Sequence, residues 1–297
     1  MTALAPSMAD ERLGILLRIG STMAFAVMVV CIKALGDAVP LGQVVFFRSA
    51  VALVPLVVFL WWCGDFPHGL ATRRPFGHVA RCLMGACAMF TSFATLRFLP
   101  LAEATMLSYL SPVALALLGW ALLGERLSRR RTGGIGLGLA GVTAFCLPAF
   151  AGTLPTGALT GLILGLVTAV LTAGALLQVR RLTVAGEKAG AIAFYFAVVS
   201  ALAGVATLPL GWVWPDPMQA FLLLGAGLAG GIAHILMTLS FRHAEAAALA
   251  PFEYLSVLWA VALGLIVFAE TPGWGFLVAG PLIIAGAIIA TPSARKN

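Results

Sequence analysis

Ten apolar runs of about 18–24 residues succeed one another through this chain, separated only by short clusters of charge, proline and glycine. A helix crossing the hydrocarbon of a bilayer needs about 20 largely apolar residues. The runs cover 13–36, 41–62, 76–97, 101–123, 132–149, 157–179, 189–211, 218–241, 246–268 and 273–291. Composition agrees: 61% of the 297 residues are hydrophobic and 10% are charged. A water-soluble domain is about 45–50% apolar and 25% charged, so this chain lacks the charge to cover a soluble surface. The pattern excludes a secreted domain, a nucleic-acid binder and an ordinary cytosolic enzyme. It predicts an all-α membrane protein of ten transmembrane helices. Residues 1–12 form a short N-terminal tail and 292–297 a C-terminal tail.

The net charge of +7 reads as loop arginine and lysine setting membrane orientation. With a cytoplasmic N-terminus, the cytoplasmic segments hold fourteen basic residues, Arg18 among them, and the outer loops hold Arg97 alone. Lys33, Arg48 and Arg81 fall within or at the ends of spans. That bias predicts cytoplasmic termini, a multi-pass chain in the bacterial inner membrane, and an even helix count. The first run is longer than the core of a cleavable leader. The five cysteines form no CxxC pair and read as small packing residues.

The chain also repeats itself. Adding 145 to a residue number carries Arg97 to Arg242, Tyr109-Leu110-Ser111 to Tyr254-Leu255-Ser256, Leu118-Gly119 to Leu263-Gly264, Glu125 to Glu270 and Gly141 to Gly286, with no gap from Leu83 to Gly141. Shared membrane composition does not readily place Arg, Tyr-Leu-Ser and Glu in register. The repeats are 13–149 and 157–291, five helices each. An odd count starts the second repeat on the opposite side of the membrane, so the halves are expected to be inverted. Inverted repeats are the architecture of carriers that expose one midplane site alternately to each side.

These residues resemble the EamA-type carriers of the drug/metabolite transporter superfamily. The resemblance rests on the glycine-rich, Glu-terminated ends of the fourth and ninth helices, Gly119–Glu125 and Gly264–Glu270. It rests also on Phe46-Phe47-Arg48 early in the second helix and on the short turn from Arg97 to Glu103. It covers nearly the whole chain. It implies a ten-helix secondary transporter of the bacterial amino-acid exporter branch. No arginine stands where Arg48 would map in the second half, which sets aside a symmetric role for that residue.

At 1.5 Å per residue, Tyr109 and Tyr254 lie about 12 Å from opposite ends of their helices, close to the midplane. Ser111 and Ser256 lie almost at the centre. Pro112 removes a helix bond and frees a carbonyl. These four residues, with Phe252 and Trp259, are the expected substrate-binding set; the rings offer apolar surface and hydroxyl donors. His234 and Glu253 lie at matched depth, where ionisable groups are costly and commonly functional. They are expected to meet as a proton-coupling pair or polar gate, and the competing expectation is a purely structural pair. His234 shares a helix face with Gly227, Gly230 and Gly231. Lys33 either snorkels to the interface or, with Arg48, provides a counter-charge for a substrate carboxylate. Arg81 is expected as an interfacial anchor. Glu125 and Glu270 are expected to be structural.

The function expected is export of small amphipathic metabolites, foremost neutral or aromatic amino acids, by alternating access. Transport is driven by protons or runs downhill. No phosphate-binding GxxxxGK[ST] run, GxSxG or HExxH is present, so neither ATP nor a catalytic site is expected. No cofactor or metal is expected. The alternatives are an exporter of another metabolite or drug class and, in different classes, an intramembrane enzyme or a channel. The partners are a small-molecule substrate and the lipid bilayer.

Overall fold

The computed structural model describes residues 8–123, 129–150, 157–244 and 246–290. Residues 1–7, 124–128 with Glu125, 151–156, Glu245 and 291–297 lie outside them, and the first helix begins at Met8, inside the expected N-terminal tail of 1–12. The described residues form α1 (Met8–Leu35), α2 (Leu41–Trp62), α3 (Pro75–Phe98), α4 (Leu101–Ser108), α5 (Ser111–Leu123), α6 (Arg129–Phe150), α7 (Ala158–Val184), α8 (Ala189–Val205), α9 (Pro217–His243), α10 (Ala246–Glu253), α11 (Leu255–Phe268) and α12 (Trp274–Ala290). Among them, eight segments are long and apolar enough to cross a membrane, and Thr132–Ala144 and Trp274–Ile289 are shorter apolar helices.

Two expected spans are not continuous helices. The fourth is α4 and α5, interrupted at Tyr109-Leu110, and the ninth is α10 and α11, interrupted at Tyr254. The breaks fall 145 residues apart, on the repeated tyrosines. The cause of the first is local. Pro112 has no N–H to give the carbonyl of Ser108, four residues back. Tyr109 N–H and Leu110 N–H turn instead to Met106 and Leu107, three residues back, and the Ser111 hydroxyl donates to the Ser108 carbonyl at 2.7 Å. At the second break Val257 N–H bonds Tyr254 rather than Glu253, and the Ser256 hydroxyl donates to the Glu253 carbonyl at 2.8 Å. The same serine serves the same purpose twice.

The helices pack in corresponding pairs. α1 lies along α9 and α3 along α7; α6 lies against α12, and α2 against α8 and α9. Small residues permit the approach. A Cβ at Gly286 would fall 2.5 Å from the Gly138 backbone nitrogen, and one at Gly141 would fall 2.7 Å from Ile283. The glycine face expected around His234 is buried as read: Gly227 abuts Val51, and Gly231 abuts Pro55 and Ala52. Trp61, Trp62, Trp214 and Trp274 are exposed near helix ends, where the amphipathic indole suits an interface.

A polar clasp joins the loop after α7 to the start of α3. Glu187 accepts from the Arg73 N–H at 2.9 Å and from His78 Nε2 at 3.1 Å, while the His78 ring packs on Tyr195. Desolvation works to raise the Glu187 carboxyl, but the Arg73, His78 and Thr72 hydrogen bonds outweigh it and hold it below the usual carboxylate range. A carboxyl lowered in the folded state stabilises the fold above its unfolded pKa and loses that contribution as pH falls through the folded value. Glu187→Gln is therefore expected to lower the melting temperature of the detergent-solubilised protein near neutral pH and to flatten its decline below pH 5. Parallel melting curves for variant and wild type across pH 3–7 would dismiss the clasp as a source of stability.

Candidate functional site

A cavity of about 590 Å³ opens where the broken helices meet α1, α2, α3, α7 and α9. Its size falls in the range that accommodates metabolite- and drug-sized ligands, roughly 300–1,000 Å³. Arg18, Thr22, Phe25, Arg48, Arg81, Tyr109, Ser111, His234, Glu253 and Ser256 reach it, within a largely apolar wall.

The broken helices supply the centre. Tyr109 crosses from the α4–α5 break to the α10–α11 break, where its hydroxyl donates to the Glu253 carbonyl and lies beside Ser256 Oγ, which donates to the same carbonyl. Its ring stacks on Tyr254 with centroids 5.1 Å apart. The two breaks are thus tied to one another by the repeated tyrosines and one serine. A carbonyl that the helix has released must find a partner inside the protein when lipid is the surrounding solvent, and Tyr109 provides it.

The charged residues are arranged differently from the expectation. His234 and Glu253 do not hydrogen-bond each other. His234 Nε2 lies 3.2 Å from Arg48 Nη2 and its ring meets Phe25 edge-on at 5.0 Å. Glu253 forms an ion pair with Arg18. Matched depth put the two residues at one level of the membrane, but their azimuths turn them toward α2 and α1 respectively. Arg18, counted from sequence among the loop charges, is a buried cavity residue of α1. Arg81, expected at the interface, points its guanidinium at the Phe196 ring, 4.3 Å from the centroid. Among the described residues, the cavity lining therefore holds three guanidiniums and one carboxylate.

Phe252, Tyr254 and Trp259 do not line the cavity. Tyr254 supports Tyr109 from behind, and Trp259 Nε1 donates to Thr22 Oγ1 at 3.3 Å. Lys33 also stands outside. It does not snorkel: its ammonium donates to the Leu96 and Leu99 carbonyls at 3.2 and 2.8 Å and pairs with Glu270 at 2.8 Å. Glu270 in turn accepts from the Leu101 N–H at 2.8 Å, capping α4, which has no side-chain N-cap of its own. Glu270 is the structural residue expected; its counterpart Glu125 lies outside the described residues. Sequence reasoning missed Arg18 and Arg81 as site residues. The available signal was their place within apolar runs, which was read as loop and anchor.

The comparisons with known proteins agree with this geometry. A solved crystal structure superposes with a TM-score of 0.63 at 22% identity, covering 95% of this chain and 97% of its own, a likeness of fold. Eight described segments of membrane-crossing length and apolarity, two of them broken beside a cavity, fit a multi-pass membrane protein. Residues 12–147, a little under half of the chain, match the model of the EamA-like transporter family, and full-length likenesses to named transporters support a bacterial protein of the drug/metabolite transporter superfamily. It is 26% identical to the pseudopaline exporter CntI of Pseudomonas aeruginosa over 96% of this chain and 97% of that protein. It is 25% identical to the S-adenosylmethionine uptake transporter of Rickettsia prowazekii over 89% of this chain and 87% of that one.

The Glu270 cluster yields a stability prediction. Glu270→Gln keeps an acceptor for Leu101 but loses the Lys33 pair, and Glu270→Ala loses both. Hydrogen bonds to charged groups contribute about 1.5–3 kcal/mol, so Glu270→Ala is expected to destabilise by about that amount and Glu270→Gln by less. Denaturant titration in mild detergent reads the difference; wild-type stability in Glu270→Ala would remove the cap from the account.

Proposed function

We propose that this chain is a secondary transporter that exports small amphipathic metabolites, foremost neutral and aromatic amino acids, across the bacterial inner membrane by alternating access. The observation that carries this reading is the Tyr109 bridge. Two half-broken helices, related by the 145-residue repeat, meet over a cavity of about 590 Å³ lined by aromatic and hydroxyl groups. Discontinuous helices of this kind hold substrate in repeat-built carriers.

Ten spans in two inverted five-helix repeats, 13–149 and 157–291, with both termini cytoplasmic, complete the reading. The pairing of helices supports it. Shifting the α3–α7 contact by the repeat gives the α9–α1 contact, and α6–α12 and α2–α8 map onto themselves. In alternating access the Arg18–Glu253 ion pair serves as a polar gate at one end of the cavity, and its opening on protonation of Glu253 would couple flux to a proton gradient. The relatives are named for movement in opposite directions. Export follows here from the resemblance to amino-acid exporters and is read directly by experiment.

Reconstituted protein should show saturable, counterflow-stimulated flux of aromatic amino acids, with no chemical product formed. Tyr109→Ala should cut that flux at least tenfold while the protein still inserts. Glu253→Gln should abolish the response to a pH gradient and retain counterflow, which needs no net proton movement. Wild-type gradient-driven flux in Glu253→Gln removes the coupling role, and wild-type kinetics in Tyr109→Ala removes the bridge from the transport path.

Orientation is tested separately. A cysteine at Asp216 should react with an impermeant thiol reagent from the periplasm, and one at Gly186 only after permeabilisation. The reverse pattern overturns the assignment of the termini.

A further inference from the structure

Beyond the aromatic bridge, the cavity holds two guanidiniums that the protein leaves without an acid. Arg48 is 5% exposed. Its partners are soft or neutral: Met28 Sδ at 3.5 Å from Nε and His234 Nε2 at 3.2 Å from Nη2. Arg81 has two buried nitrogens, Nε and Nη1, with no hydrogen-bond partner. One face of its guanidinium is covered by Phe196. Among the described residues, neither arginine forms an ion pair. The cavity's carboxylate, Glu253, is taken by Arg18.

The surroundings are built to hold these two groups in place. A Cβ on Gly85, one turn beyond Arg81, would collide with Arg81 Nη1 and with the Phe196 ring. A Cβ on Gly230 would come within 2.8 Å of Met28 Sδ and 3.4 Å of Arg48 Nε. Small residues on α3 and α9 thus make room for both head groups. Both line the same cavity as the His234 ring. A buried charge without a partner costs several kcal/mol in general, and buried unsatisfied donors are uncommon in folded proteins. A fold that keeps two such cations in one cavity is complete only when an anion enters.

We propose that Arg48 and Arg81 form a carboxylate-binding subsite, so that the substrate of this transporter is an organic acid whose carboxylate is held between the two guanidiniums while its apolar part lies toward the tyrosine bridge. The planar forks of two arginines match the two oxygens of a carboxylate. The His234 imidazole fixes Arg48 by accepting from it. The Phe196 ring fixes Arg81 by covering one face of its guanidinium. The subsite rests on the transport reading above, and it adds that a free carboxylate is what the cavity selects.

Matched compounds test it. N-acetyl-L-phenylalanine and N-acetyl-L-phenylalaninamide share size and ring and differ in the carboxylate; succinate and succinamide do the same without a ring. Binding to the purified full-length protein in lipid nanodiscs, read by ligand-induced thermal shift and by isothermal calorimetry, should favour each acid over its amide by at least tenfold. Arg81→Gln should remove about tenfold to a hundredfold of that preference, the usual worth of one charge-assisted hydrogen-bonded contact. The empty Arg81→Gln protein should melt no lower than wild type, because the substitution removes an uncompensated buried charge; a merely structural Arg81 predicts a lower melting point. Arg97→Gln, which removes a charge outside the cavity, should keep the acid preference. Inorganic phosphate in place of the acids separates a general anion site from a carboxylate site, and phosphate displacing N-acetyl-L-phenylalanine at equal concentration would overturn the carboxylate assignment. Equal affinity for acid and amide, or binding of neither at millimolar concentration, overturns the subsite. Flux of aromatic amino acids that persists in that case would leave the transport reading standing, whereas loss of all flux with acid-selective binding intact would strike the transport reading alone.

Discussion

Hydrocarbon offers no hydrogen-bond partner, so a helix that breaks inside a membrane must bring its own replacement for each bond it gives up. This constraint organises the centre of the protein. The break at Tyr109-Leu110 and the break at Tyr254 each release a carbonyl, and each is met by a serine hydroxyl three residues on. The second is also met by Tyr109 from the other half. A local defect in one helix is thereby repaired by a side chain from its counterpart, and the repair holds the two halves together at the cavity. The cavity, the stacked tyrosines and the Arg18–Glu253 ion pair all lie around this junction.

The charges are distributed by the same economy. Lys33 and Glu270 satisfy one another and also the helix ends around them, two carbonyls of the α3 terminus and the first N–H of α4. Arg97 holds the Val39 carbonyl at 2.8 Å and pairs with Asp37. These cations serve the backbone where a helix finishes. Arg18, Arg48 and Arg81 serve no helix end. They face the cavity, where one is matched by an acid and two are not. A transporter that neutralised every intramembrane charge internally would have nothing to offer a charged cargo, whereas one that leaves part of its charge unmatched gains selectivity at some cost in stability when empty.

Packing around the site depends on small residues more than on large ones. Between lipid-solvated helices there is no water-driven force to bring apolar faces together, so close contact and backbone approach carry the association. The α7 stripe of Gly161, Gly165, Ala169 and Ala173 shows this. Gly161 abuts Phe98 and Leu99, and Gly165 abuts Leu107, while Ala169 and Ala173 are buried. The α6–α12 contact is closer still, with Gly286 against the backbone of Gly134 and Gly138. Such surfaces have few protruding side chains to lock them, which suits helices that must shift during a transport cycle.

Apolar length, the positions of proline and glycine, and the 145-residue repeat were all readable from the sequence, because hydrophobicity over 20 residues and a shift in register are one-dimensional properties. They determined an all-helical membrane chain, the pairing of Tyr109 with Tyr254, the release of a carbonyl by Pro112, and the structural place of Glu270. Azimuth around a helix axis was not readable, since it depends on which neighbour each face meets. For that reason depth alone suggested a His234–Glu253 contact, while packing turned His234 to Arg48 and Glu253 to Arg18. Arg18 and Arg81 looked like loop and anchor charges because each stands within two turns of a helix end. Only the tertiary structure showed the surrounding helices enclosing them, since burial belongs to the assembly of helices and not to any one of them.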